Sequence, residues 1–299
     1  MWWFKPRAVS KIRFEPPKPQ ARRAGLAIAF TTQNEARHIA EWARFHRLVG
    51  VEHFVVYDNG STDGTVDVLR EAVGTERVTF MPWHQKFFDA RRDAEFHNQV
   101  LCFAHAVRNF GGAFRWMAFT DVDEFLVPKQ GKTVPEVLEP LGDFGCLSVP
   151  WAMFGRGGQM QPPEDGVLPN YLMRNRDPLA TPRALRFKCI IDACQVTAVQ
   201  VHEFEVNGKS EGINEDGLLA KHSDRASAEF LRTDKLQLNH YYTRSDAELR
   251  AKIARGSNKI VDPEKHAARV WRSVNLIEQD VVEDRCALDL LARHGVDHL

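Results

Sequence analysis

Short apolar runs alternate with helical stripes through the first third of the chain. Leu26-Ala27-Ile28-Ala29-Phe30-Thr31-Thr32 has the length of a buried strand and breaks at Gln33-Asn34-Glu35. Ile39, Trp42, Ala43, His46 and Val49 then recur on one face of a helix, which Gly50 is placed to stop. Val51 to Tyr57 reads as a second strand and runs into the polar loop Asp58-Asn59-Gly60-Ser61-Thr62-Asp63-Gly64. A helix over Thr65 to Val73 and a third strand over Arg77 to Met81 follow. This alternation predicts βαβ units and an α/β fold with a mainly parallel sheet, whose ligands bind beyond the carboxyl ends of the strands.

The same logic predicts a long helix from Ala90 to Asn109, with Phe96, Val100, Phe103, Ala104 and Val107 as its apolar stripe and Gly111-Gly112 as its end. Next comes Trp116-Met117-Ala118-Phe119-Thr120-Asp121-Val122-Asp123-Glu124-Phe125-Leu126, which reads as a buried strand ending in acid. In an extended chain Asp121 and Asp123 share a face. Two carboxylates about 4 Å apart repel by roughly 4 kcal/mol at an effective dielectric near 20. A shared proton, screening water or a bound cation relieves that repulsion, and hard divalent ions prefer oxygen ligands. Gln33–Glu35, Asp58–Asp63 and Asp121–Asp123 thus fall at three strand ends on one rim, as a binding site requires.

Patterning weakens further on. A short helix is expected at Pro135 to Leu141 and a strand at Cys146 to Val149. A proline-rich, loosely patterned stretch runs from Trp151 to Pro182, and strand-like segments open at Arg186-Phe187-Lys188 and at Val196 to Val201. Helical patterns are expected after Ser223, from Ser245 to Arg255 behind the capping box Ser245/Glu248, from Pro263 to Trp271 and from Leu276 to Ala292. Without an internal repeat or a clean linker, residues 25–299 read as one domain with a helical C-terminal part, preceded by a basic arm over residues 1–24.

Composition narrows the classes. The net charge of zero gives no argument for a nucleic-acid partner. The cysteines Cys102, Cys146, Cys189, Cys194 and Cys286 show no zinc-like pairing, so reduced thiols in a cytoplasmic setting are expected. No stretch approaches the ~20 apolar residues of a membrane span. The arm carries Lys5, Arg7, Lys11, Arg13, Lys18, Arg22 and Arg23 against Glu15, with Pro6, Pro16, Pro17 and Pro19. It is expected to pack on its own domain or trail as a tail, with peripheral contact to an anionic membrane as the other option.

Taken together, Thr32-Gln33-Asn34-Glu35, the run Asp58 to Thr65, the Asp121-Val122-Asp123-Glu124-Phe125-Leu126 motif, Trp151-x-x-Phe154-Gly155, Phe187-Lys188 and Leu238-Asn239-His240-Tyr241-Tyr242-Thr243-Arg244-Ser245 form a specific combination. It resembles glycosyltransferases of the GT-A (Rossmann-like) fold, in the family-2-like group close to family 92, over most of residues 25–258. The resemblance implies a nucleotide-diphospho-sugar donor, a glycan or other hydroxyl-bearing acceptor, a divalent metal (Mn2+ or Mg2+), and a role in polysaccharide biosynthesis, with hexosyl transfer as the expected activity. It implies a nucleotide-binding half over about 25–128 and an acceptor-side half over about 129–299. Asn34 and Glu35 would lie beside the nucleoside, Asp58 near the base, and Asp63 would hold the loop. Asp123 would be the principal metal ligand, with Asp121 reaching the metal through water or the donor ribose. His240 would approach the metal or diphosphate, and Lys188 the diphosphate. The acceptor base is open between Glu203, preferred because it sits at a strand end, and Glu164 or Asp165.

Blander roles compete. Glu35 and Asp63 could cap helices, His240 could be a satisfied core histidine, and Trp151 and Phe154 could be core rather than a sugar-stacking platform. Two other classes are available to the acidic motif: a haloacid-dehalogenase-like phosphatase, in which an aspartate is the nucleophile, and a non-catalytic nucleotide- or sugar-binding module. The first leaves the Asp58–Asp63 loop idle, and the second predicts loss of a metal motif whose aspartates are intact here.

Overall fold

Strands buried on both faces organise the molecule. The computed structural model describes residues 8–180, 185–256 and 262–299. Within them β1 (Ala24–Thr32), β2 (Val51–Asp58) and β3 (Val78–Pro82) run parallel, joined by α1 (Ala36–Leu48) and α2 (Thr65–Val73). After α3 (Asn98–Phe110), β4 (Phe114–Phe119) adds in parallel to the other side of β1. Successive residues of β1 and β4 face opposite cores. Leu26, Ile28, Phe30, Trp116 and Ala118 pack with Ile39, Trp42 and Phe45 of α1, whereas Ala29, Met117 and Phe119 pack with Val100, Phe103 and Val107 of α3. This two-sided burial is why the strands read as continuous apolar runs.

Four further strands complete the part that carries the site: β5 (Glu124–Pro128) and, after the short helix α4 (Val134–Leu138), β6 (Cys146–Met153), β7 (Phe187–Ile191) and β8 (Leu236–His240). β7 lies antiparallel between β4 and β6, and β8 pairs antiparallel with β5 and parallel with β6. The sheet is parallel where β1 to β4 build it, as the alternation of elements predicts, and mixed beyond.

Several expected elements are corrected. The helix expected from Ala90 begins only at Asn98, and Phe96 lies outside it. Residues 88–95 form a hairpin instead, because the Asp89 carboxylate accepts the Arg91 and Arg92 N–H groups and Asp93 takes a left-handed φ of 48°. After Ser223 there is no helix among the described residues until α5 (Asp246–Arg255), only a short turn at His222–Asp224. The chain there is held by Glu215, whose carboxylate accepts the N–H groups of Asp234, Lys235 and Leu236. At the C-terminus α6 (Pro263–Glu278) runs past Trp271, and the expected helix over Leu276 to Ala292 is interrupted. Residues Val281–Glu283 pair instead with Met173–Asn175, and α7 (Cys286–His294) follows. Met173–Asn175 lies inside the stretch from Trp151 to Pro182, so that stretch is anchored by strand pairing; its last two residues, Thr181 and Pro182, lie outside the described residues.

The arm packs on the domain from Val9 onward. Ile12–Arg13 pairs with Val196–Val199, and Gln20 N–H donates to the Gly112 carbonyl. A Cβ on Gly112 would lie 2.5 Å from the Lys18 carbonyl oxygen, so the glycine that ends α3 is also what lets the arm approach. Lys5 and Arg7 of the expected basic tip lie outside the described residues. No helix among the described residues is long and apolar enough to cross a membrane.

Candidate active site

The acidic motif is a turn rather than a strand end. β4 stops at Phe119, and the Glu124 N–H donates to the Asp121 carbonyl at 3.1 Å, closing a four-residue turn before β5 begins. Asp121 and Asp123 both line one cavity of about 880 Å3, yet each has its own cation. Lys188 Nζ lies 2.7 Å from Asp121 Oδ2, while Gln99 Nε2 donates to Asp121 Oδ1 at 3.0 Å. Lys252 Nζ lies 3.3 Å from Asp123 Oδ2, and His240 Nε2 lies 3.5 Å from Asp123 Oδ1. The repulsion expected between the two carboxylates is thus met by two lysines from distant parts of the chain.

Strand pairing brings the separated motifs together. In the β5–β8 ladder His240 stands opposite Glu124, and the Tyr241 N–H donates to the Asp123 carbonyl at 2.8 Å. In the β8–β6 pairing Leu238 stands opposite Trp151, and the Trp151 ring centroid lies 4.3 Å from that of His240. On its other side β5 is held by α1: Trp42 Nε1 donates to the Glu124 carbonyl at 2.8 Å, and His46 Nε2 accepts the Leu126 N–H at 3.3 Å. The helical stripe read from the sequence therefore pins the backbone that follows the acidic turn.

Glu124 is fully buried, and sequence reasoning gave it no role. Its Oε2 accepts the Asp121 N–H at 2.8 Å and lies 3.4 Å from Lys188 Nζ. Among the described residues its Oε1 has no hydrogen-bond partner, nor has His240 Nδ1, 3.9 Å away. Burial pushes Glu124 well above the usual carboxylate range, Lys188 pulls it down, and Asp121 and Asp123 push it up again. For Asp123 burial acts in the same direction, but Lys252 and His240 hold it well below that range. Ligand atoms of Asp123, Glu124 and His240 lie within 4.8 Å of one another. Two carboxylates and an imidazole, with two buried polar atoms unpartnered, fit a divalent cation of the Mn2+ or Mg2+ class. This candidate set includes Glu124, to which sequence reasoning assigned no role, while Asp121 pairs with Lys188.

The two loops at the ends of β1 and β2 interlock. Asn34, at a left-handed φ of 55°, accepts the Thr62 N–H through its side chain, and its own N–H donates to Ser61 Oγ. Asp63 accepts the Ala36 N–H, at the start of α1, and the hydroxyl of Thr65. Asp58 is occupied by its own loop, accepting the N–H groups of Gly60 and Ser61. Asn34 and Glu35 line the cavity, along with Asn59, while Asp58 and Asp63 build the loops behind it. Glu35 accepts from Arg244 Nη1 at 2.8 Å, and both line the cavity.

Cations line the same cavity: Arg37, Arg244, Lys252 and Arg255. Arg244 is placed by an unusual backbone, with φ at 46° just after β8. Lys252 also donates to the Tyr242 carbonyl at 3.0 Å and sits 4.0 Å from the Tyr242 ring centroid. Helix α5, capped by Ser245 and Glu248 as expected, presents Lys252 and Arg255, and Glu248 also meets His38 Nε2 at 2.5 Å. Sequence reasoning missed Arg244, Lys252 and Arg255. The helical spacing of Glu248, Lys252 and Arg255 was the available signal.

Lys188 is 2% exposed and serves the acidic turn from below. Glu203 is not among the residues lining the cavity. Its carboxylate accepts from Gln200 Nε2 at 3.0 Å and lies 3.4 Å from Arg225 Nη2, and His222 is the main cause holding its pKa below the usual range. Its neighbour His202 lines the cavity instead. Of the other expected base candidates, Asp165 accepts from Asn170 Nδ2 at 2.7 Å within its loop, and neither it nor Glu164 lines the cavity.

Residues 27–268 match the family model of glycosyltransferase family 92. A rice (Oryza sativa subsp. japonica) protein named as a family 92 glycosyltransferase is 28% identical over 198 residues, covering 63% of this chain and 31% of its own length. The Arabidopsis thaliana galactan β-1,4-galactosyltransferase GALS3 is 30% identical over 116 residues, 38% of this chain and 22% of its own. The chain therefore spans about a third or less of these relatives. Among solved structures, Staphylococcus aureus TarS aligns with a TM-score of 0.33 at 13% identity, over 84% of this chain and 43% of that one.

Proposed function

The chain belongs to glycosyltransferase family 92, and we propose that its cavity transfers a sugar, a hexose by analogy with the galactosyltransferase relatives, from a nucleotide-diphospho-sugar donor to a hydroxyl of a glycan or related acceptor. One observation carries this reading: a cavity of about 880 Å3 lined both by the acidic turn and by Arg37, Arg244, Lys252 and Arg255. A nucleotide sugar needs such cations, since its diphosphate is a polyanion and its departure builds further negative charge.

Roles follow from position. Asn34, Glu35 and Asn59 form the nucleoside end, braced by Asp58 and Asp63. Arg244 and Lys252 hold the diphosphate. Trp151, beside His240, offers a face for the sugar ring. Asp123, Glu124 and His240 would hold a divalent cation, with Asp121 beside them. When bound, that cation supplies Lewis-acid stabilisation of the leaving diphosphate. Lys188 keeps Asp121 and Glu124 from repelling one another. Glu203 holds Arg225, and so supports the segment that presents His202. In a polysaccharide-building cell the acceptor would be a growing glycan, met at the Trp151 side of the cavity.

Incubation with Mn2+ and a panel of nucleotide sugars, reading release of nucleoside diphosphate, tests the proposal. Release that disappears in Asp123→Ala supports it. Hydrolysis of simple phosphate esters without a nucleotide sugar would instead indicate a phosphatase, and nucleotide binding without turnover a binding module.

A further inference from the structure

The acceptor hydroxyl needs a base, and the cavity offers one that the sequence motifs did not single out. His202 follows the strand Val196–Val199 and lines the cavity beside Val201 and Trp151. Its Nδ1 lies 3.1 Å from the Phe187 carbonyl oxygen. A carbonyl only accepts, so Nδ1 carries the hydrogen and Nε2 carries the lone pair. No hydrogen bond to a described residue occupies Nε2. The ring meets Trp151 edge-on, centroids 5.4 Å apart, while His240 meets the same indole at 4.3 Å. One tryptophan therefore separates the imidazole of the acid cluster from a second imidazole, whose Nε2 no described residue hydrogen-bonds. The Phe187-Lys188 pair serves both, its carbonyl fixing His202 and its ammonium neutralising Asp121.

We propose that His202 is the general base of glycosyl transfer; this rests on the transferase reading above. Nε2 takes the proton of the acceptor hydroxyl as that oxygen bonds to the anomeric carbon. The bond from the anomeric carbon to the diphosphate oxygen breaks, and its electron pair leaves with the nucleoside diphosphate. The imidazolium then returns the proton to solvent. A single displacement of this kind inverts the anomeric centre. The charged groups facing His202 are Lys188, Asp121 and Arg186. Burial first, then Lys188, lowers its pKa to about 4, so the ring is in its neutral form, with Nε2 unprotonated, throughout the neutral range. Glu203 is the poorer base by position, since Gln200, Arg225 and His222 surround its carboxylate.

The test uses the full chain with Mn2+ and a nucleotide-sugar panel, water serving as the acceptor, and compares wild type with His202→Gln and Glu203→Gln. An amide keeps polarity but cannot take the proton at neutral pH. A general base contributes about 10²–10⁴ in rate. The expected result is at least a tenfold fall in nucleoside diphosphate release for His202→Gln, with the Kd for free UDP or GDP within tenfold of wild type, which also reports a folded protein. Release within tenfold of wild type, a Kd weakened beyond tenfold, or a larger loss in Glu203→Gln overturns the assignment. No release by wild type from any donor overturns the transferase reading itself, and with it this one.

Discussion

Removing the His46 imidazole should weaken the fold at neutral pH and matter less in acid. The ring is fully buried between α1 and β5. Nδ1 donates to the Trp42 carbonyl at 2.8 Å and Nε2 accepts the Leu126 N–H at 3.3 Å, so both nitrogens are satisfied in the neutral form. A second proton would have to sit on Nε2 and face a donor. Burial accordingly lowers the pKa from 6.5 to about 3. The unfolded chain takes up a proton below about 6.5 that the folded protein refuses until about 3, so this stability is complete above 6.5 and is lost as pH falls toward 3. Each unit is worth about 1.4 kcal/mol, which makes the loss by pH 5.0 about 2 kcal/mol. In His46→Leu the Leu126 N–H is left buried without an acceptor, a penalty of about 1–3 kcal/mol. Urea unfolding of wild type and variant at pH 7.5 and 5.0 reads both terms. The variant should be less stable by about 1–3 kcal/mol at pH 7.5, and the gap should close by about 2 kcal/mol at pH 5.0. A gap that stays the same at both pH values would refute the account of a neutral, doubly bonded ring.

Other expectations follow from the site and the arm. Lys252→Met should weaken nucleoside diphosphate binding by about 10–100-fold by isothermal titration, the loss of one charge-assisted contact of about 1.5–3 kcal/mol; unchanged affinity would remove Lys252 from the diphosphate site. Glu124→Gln should weaken Mn2+ binding, read by electron paramagnetic resonance of free Mn2+, while Glu203→Gln should leave it unchanged. Gly112→Ala should lower stability by about 1–3 kcal/mol, because its Cβ would lie 2.5 Å from the Lys18 carbonyl, and should expose the arm to proteolysis; a fully stable, protease-resistant variant would contradict the close packing. Glu248 has its pKa lowered to about 2: burial raises it, but the hydrogen bonds from His38 and Ser245 outweigh that. Its stabilising contribution is full above about 4.5 and fades as pH falls toward 2, so the unfolding free energy of Glu248→Gln, read by urea titration, should fall less over that window than that of wild type.

Much of the half that holds β1 to β4 was legible because local pattern and tertiary role coincide there. The stripe Ile39, Trp42, Ala43, His46 predicted α1, and Gly50 stops it with a φ of 96°. The loops after β1 and β2 announced themselves by residues that favour turns, and they do interlock. The helical stripe from Phe96 to Val107 was extended back to Ala90, over residues that belong to the hairpin at 88–95; the Asp89 turn decides the matter through a backbone contact that the stripe does not encode. The strand Val281–Glu283 was hidden for another reason: its partner, Met173–Asn175, lies more than 100 residues away.

The sequence by itself determined which residues are apolar on two faces, where the chain turns, and that an acidic motif follows a buried strand. Those are local properties, set by side-chain volume, polarity and backbone preference. Only the tertiary structure decided which cation each acid receives. Lys188 goes to Asp121 and Lys252 to Asp123 because β7 and α5 are brought there by strand pairing and packing, and no spacing along the chain encodes either distance. The same holds for Glu124 and His240, set opposite one another by the β5–β8 register, and for His202, whose lone pair is directed by a carbonyl fifteen residues earlier. Charge placed by the fold, rather than charge counted in the sequence, makes the acidic motif a site.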